Sequence, residues 1–163
     1  MKQFFNILDK SLAFFIFLIL FVMSGVVAAN VFGRFILGSS ISWGEEVAKI
    51  LLTYLTFFGA AYAMQDNSHY SFDFIIRKLP DKLLRFFLIF RWSVIIIISV
   101  IIIYYSTEVT IRMTDWIMPS SGINRALVYG ATPVGIILLL FYSLRNLIED
   151  IKNPHIQRLE MED

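Results

Sequence analysis

Four long stretches without a single charge decide what this chain can become. Residues 14–29, 50–64, 92–107 and 126–144 contain no Asp, Glu, Lys or Arg. Extended to their flanks they give segments near Leu12–Phe32, Trp43–Met64, Leu83–Ser106 and Ala126–Leu147. Each approaches the roughly 20 apolar residues that a helix needs to cross a bilayer. The 58% hydrophobic content exceeds the roughly 45–50% of a soluble domain, and mean hydropathy is +0.71. The expected fold is an all-α integral membrane protein. It is a single domain, residues 1–163, of four transmembrane helices.

The first segment follows Lys2 and Lys10 as a signal peptide would. It is longer than an h-region of about 7–15 residues, and Asn30-Val31-Phe32-Gly33-Arg34 after it makes a poor small-residue cleavage site, so it reads as a retained helix. Basic residues cluster at Lys2 and Lys10, at Arg77, Lys78, Lys82 and Arg85, and at Arg145, Lys152 and Arg158. The remaining connections hold Arg34, Arg112 and Arg125. By the positive-inside rule, both termini and the middle loop are expected in the cytoplasm. Cysteine is absent, so disulfides, thiolate metal sites and cysteine nucleophiles are excluded.

Charge reappears as a knot between the first two segments. Asn30-Val31-Phe32-Gly33-Arg34 closes one, and Trp43-Gly44-Glu45-Glu46-Val47-Ala48-Lys49 opens the next. Glu45 and Lys49 stand i,i+4 in the favourable order, which leaves Glu46 for Arg34 or for another subunit. Arg34, Glu45, Glu46 and Lys49 are therefore the expected structural ion-pair network, fixing the first two helices at headgroup level. Arg91 is expected to snorkel to the headgroups, making Trp43, Arg91 and Trp92 candidate contacts for phospholipid or another subunit.

Other local signals are weaker. Gly25/Ala29 and Gly59/Ala63 have the small-xxx-small spacing that allows close helix approach, and a contact within this chain is expected for at least one pair. Residues 65–82 mix aromatic, aliphatic and basic side chains and suggest a headgroup-level segment, with Pro80-Asp81 opening the third helix. Beyond Tyr105 a helical pattern continues through Glu108, Arg112 and Trp116, so 107–118 is expected to be an extension of the third helix on the outward side. Pro119-Ser120-Ser121-Gly122 stops it, Asn124 can cap the fourth helix, and Pro133 is expected to kink it. Residues 149–163 read as a charged cytoplasmic tail.

Catalysis is not expected. The histidines, His69 and His155, lie in loops rather than in helices where haem would be held. Clustered His and carboxylate ligands, a phosphate loop and a catalytic Ser motif are all missing. No cofactor, metal or nucleic-acid partner is expected. No inverted pair of interrupted helices suggests a midplane transport site, and the chain alone is expected to bind neither sodium nor substrate.

Asn30-Val31-x-x-Arg34-Phe35, Ser42-Trp43-x-Glu45-Glu46, Phe58-Gly59-Ala60-Ala61 and His69 with Asp73 together resemble the DctQ-type small membrane subunit of TRAP transporters. The matching motifs span roughly residues 28 to 80, and the helix count, length and orientation agree over the whole chain. The departure is Tyr70-Ser71-Phe72, where plainer aliphatic residues are expected. The resemblance implies a multi-pass subunit of the bacterial inner membrane in a tripartite, sodium-coupled secondary transporter for organic acids. Its partners would be a large elevator-type membrane subunit, which holds the substrate and sodium sites, and a periplasmic substrate-binding protein. The sialic-acid branch is the favoured one. Arg112, Asp115, Trp116 and Arg125 are the candidate docking residues for the binding protein. The alternatives are an independent four-helix homodimeric exporter, which would need a mid-helix carboxylate, and a membrane assembly factor.

Overall fold

The computed structural model describes residues 2–36, 38, 39, 41–65 and 81–152. They form α1 (Lys2–Ile36), α2 (Gly44–Ala63), α3 (Asp81–Arg112) and α4 (Arg125–Lys152). Within them Ile7–Ile36, Phe86–Arg112 and Arg125–Ile151 are long and apolar enough to cross a membrane. At 20 residues α2 is the shortest helix, and Glu45, Glu46 and Lys49 occupy its first two turns. It therefore falls short of the same measure, although four spanning helices were expected.

The main helix contacts are α1 with α2, α2 with α4, and α4 with α3. The helices thus follow one another in space as α1, α2, α4, α3, with α1 and α3 on the flanks. Those flanks are strongly apolar and bare: Phe14, Phe17 and Phe21 on α1, and Phe86, Phe90 and Tyr104 on α3, are all exposed. Exposed apolar area of this extent belongs against lipid or another protein.

Leu12 of α1, Phe58 of α2 and Tyr142 of α4 form the core where three helices meet, with Leu8, Ile16, Tyr54 and Leu138 packed around them. Phe58 stands edge-on to Phe15 at 5.3 Å and stacks on Tyr54 at 5.7 Å. Lipid is as apolar as these side chains, so close packing and hydrogen bonds hold such helices together. Tyr54 accordingly donates to the Leu127 carbonyl at 3.0 Å, and Asn146 Nδ2 donates to the Met64 carbonyl at 2.7 Å. Tyr142 donates to Asp9 at 2.7 Å and ties α4 to α1.

The small-residue pairs do not make these contacts. A Cβ built on Gly25 or Gly59 meets nothing within 4 Å. The close approach is at Gly135 instead, where an added Cβ would sit 2.5 Å from Phe57 Cβ. Two helices can meet this tightly only where a side chain is missing. α4 continues through Pro133 as one helix.

The expected helical extension over 107–118 ends at Arg112. Met113, Thr114 and Trp116 donate to carbonyls three residues back, and Ile117 then bridges antiparallel to Asn124. Gly122 takes a positive φ of 70°, which glycine adopts without strain, and the chain doubles back as a hairpin. At the other end of α4 the helix runs on to Lys152, past the point where a tail was expected. The expectations for residues 66–80, which include His69 and Asp73, and for 153–163 lie outside the described residues.

Candidate functional site

The first turn of α2 organises one end of the bundle. Asn30, near the end of α1, accepts the Ile41 amide at 2.9 Å through Oδ1. Gly44 lies against that same side chain, its Cβ position 3.5 Å from the Asn30 amide group. Residues 41–43 of loop 1, which lead into α2, are thereby tied to the end of α1.

Glu46 holds loop 3, residues 113–124. Its Oε1 accepts the Ser120 amide at 3.2 Å and its Oε2 accepts the Ser121 amide at 2.7 Å. Among the described residues the charge knot is therefore not an ion-pair network: neither Arg34, Glu45 nor Lys49 takes part in a salt bridge. The carboxylate expected to face Arg34 is satisfied by two backbone N–H groups from 74 and 75 residues away. Arg34, Glu45 and Lys49 are all exposed, where an ion pair contributes little.

Beyond Glu46 the hairpin is well tied. Met118 donates to Ile123 at 2.8 Å, and Arg125 donates to the Trp116 carbonyl at 2.8 Å. Asn124 caps α4, its Oδ1 accepting the Ala126 amide at 2.8 Å while its Nδ2 reaches back to Thr114. The Arg125 guanidinium lies 5.8 Å from the centre of the Trp116 ring, within cation–π range. Trp116 is 57% and Ile117 64% exposed. Arg112 pairs with Glu108 one turn back on α3, and Asp115 is exposed beside them. All four candidate docking residues thus share one end of the bundle. Trp43, 46% exposed, precedes α2 at the same end.

Arg91 and Trp92 belong elsewhere. Trp92 is 2% exposed, so it is a core residue rather than a lipid contact. Its Nε1 donates to Asp150 Oδ2 at 2.7 Å, and Arg91 reaches the same oxygen at 3.2 Å. Arg91 is thus held against α4, and its Nε is buried without a hydrogen-bond partner among the described residues. Asp150, 6% exposed, is the residue that sequence reasoning missed, having been assigned to the tail. A signal was present: Tyr142, Asn146 and Asp150 recur every four residues and put a polar stripe on an apolar helix.

Among the described residues no three His, Asp or Glu side chains converge as a metal site would need. The described residues present a hydrogen-bonded hairpin at one end and bare apolar flanks along the sides.

Residues 23–153 match the family model of the DctQ component of tripartite ATP-independent periplasmic transporters. A Haemophilus influenzae protein assigned as a TRAP transporter small permease is 28% identical over 89% of this chain and 88% of its own length. The ectoine TRAP transporter small permease protein of Halomonas elongata is 29% identical over 87% of this chain and 77% of the relative. The sialic acid TRAP transporter permease protein of a second Haemophilus influenzae strain is 25% identical over 85% of this chain, which there corresponds to 22% of a longer protein.

Proposed function

The chain belongs to the DctQ component family of the TRAP transporters and is a small, multi-pass permease subunit of the bacterial inner membrane; we propose that it scaffolds a large membrane subunit and helps a periplasmic binding protein to dock. One observation carries the scaffolding role. The flanks formed by α1 and α3 are apolar and exposed along most of their length, which suits a bundle built to be covered in the membrane. The longer sialic acid permease supports it as well, because the stretch resembling this chain is there part of a larger permease.

In this reading α1 and α3 share their bare faces between the large subunit and phospholipid. Loops 1 and 3 face the periplasm, both termini face the cytoplasm, and the hairpin with Trp116 and Arg125 receives the binding protein. Solute and sodium sites lie in the large subunit, and transport is sodium-coupled. We take the solute to be an organic acid, with sialic acid favoured; relatives of comparable identity are named for sialic acid and for ectoine. That spread fits a subunit that does not itself read the solute.

Uptake of labelled sialic acid and ectoine into cells lacking this chain tests the proposal. Sodium-dependent uptake of one solute should vanish on deletion and return with the intact gene. Unchanged uptake, or transport by the purified chain alone, would overturn it, the latter in favour of an independent exporter.

A further inference from the structure

The hairpin between α3 and α4 has one bridged residue pair, Ile117 with Asn124, and most of it is exposed. A two-stranded hairpin on its own is marginal in water. This one has an external clamp. Two consecutive amides, those of Ser120 and Ser121 at its tip, point at the two oxygens of one carboxylate on another helix. Hydrogen bonds to a charged acceptor are roughly twice as strong as neutral ones. The Gly122 turn follows the clamped residues directly. Behind it, Arg125 holds the Trp116 carbonyl through its backbone and lies over the Trp116 ring. The same helical turn that carries Glu46 is fixed from its other side, through Gly44 against Asn30.

From this geometry we propose that Glu46 is the positioning residue of the docking surface: its carboxylate holds hairpin 116–125 in one pose and so presets the arrangement of Trp116 and Arg125 that the binding protein meets. The inference rests on the docking role proposed above. Preorganisation lowers the ordering cost of association. The clamp lies at the surface, so its loss hands two amides to water and leaves the helix packing intact.

The test uses the purified complex of small and large subunits with its binding protein. Amide exchange of residues 118–123 is followed for wild type, Glu46→Ala and Glu46→Gln, and transport is measured against binding-protein concentration. In Glu46→Ala, exchange at Ser120 and Ser121 should quicken about tenfold, in line with a hydrogen bond to a charged group. The half-saturating concentration of binding protein should rise several-fold while the maximal rate holds. Glu46→Gln keeps one acceptor oxygen and should fall between, and it decides the matter if Glu46→Ala does not assemble. Unchanged exchange would overturn the clamp. Faster exchange with unchanged half-saturation would overturn its part in docking. Trp116→Ala separates the two ideas: if it raises half-saturation where Glu46→Ala does not, docking stands and the positioning role falls. If neither variant does, the docking role itself falls.

Discussion

Trp92 and Asp150, 58 residues apart, share a hydrogen bond of 2.7 Å that closes α3 onto α4. The carboxylate is nearly buried and also receives Arg91 at 3.2 Å. Removing one member of a buried charged group leaves the others desolvated and unpaired, which costs about 3–5 kcal/mol. Asp150→Ala should therefore lower the thermal midpoint of the purified chain clearly. Trp92→Phe, which deletes one hydrogen bond, should cost about 1–3 kcal/mol. A wild-type melting curve for Asp150→Ala would show that the cluster holds nothing together.

Gly135 governs the contact between α2 and α4. An added Cβ would lie 2.5 Å from Phe57 Cβ and 3.0 Å from its carbonyl carbon, so the helices must move apart. Gly135→Ala should destabilise by about 1–3 kcal/mol, as overpacking does. The clashing atoms persist when Phe57 is shortened, so Phe57→Ala should not rescue it. Restored stability in that double variant would mean that the ring, not the backbone approach, sets the spacing.

Gly25 and Gly59 should behave in the opposite way. Nothing in this chain lies within 4 Å of a Cβ at either position. Gly25→Leu and Gly59→Leu should leave the melting of the isolated chain within about 0.5 kcal/mol of wild type, as surface changes usually do. Recovery of the complex should then fall for whichever face the large subunit covers. A marked loss of stability in the isolated chain would contradict the open surroundings of both glycines.

The distribution of basic residues sets the expected orientation. Lys2, Lys10, Arg145 and Lys152 lie at the terminal end of the bundle, and such residues favour the cytoplasm. A reporter fused after Asp163 should be active only if it works in the cytoplasm. Activity of a periplasmic reporter there would invert the topology and remove the hairpin from the binding protein's side.

The helices were legible because uncharged runs of this length have few other fates, and Asn124 could be read as a cap from its place before an apolar run. Partners were harder to read. Glu46 was recognised as a charge needing a partner, but the partner is a pair of backbone amides in a distant loop, and any residue but proline supplies an amide. Asp150 was lost between Glu149 and Lys152, which look like the start of a solvated tail. Its burial depends on where α3 places Arg91 and Trp92. Gly25/Ala29 had the spacing of a packing motif, yet Gly135 makes the contact, because spacing along one helix does not say which neighbour approaches it.

The most direct test of the central claim is co-purification from native membranes in mild detergent, with a tag on this chain. A large polytopic permease should come down in a stable complex, identified by mass spectrometry, and the small subunit should be depleted from the membrane when that permease is deleted. Recovery of the chain alone or as a homodimer, with its abundance unaffected by loss of the permease, would contradict its role as a subunit.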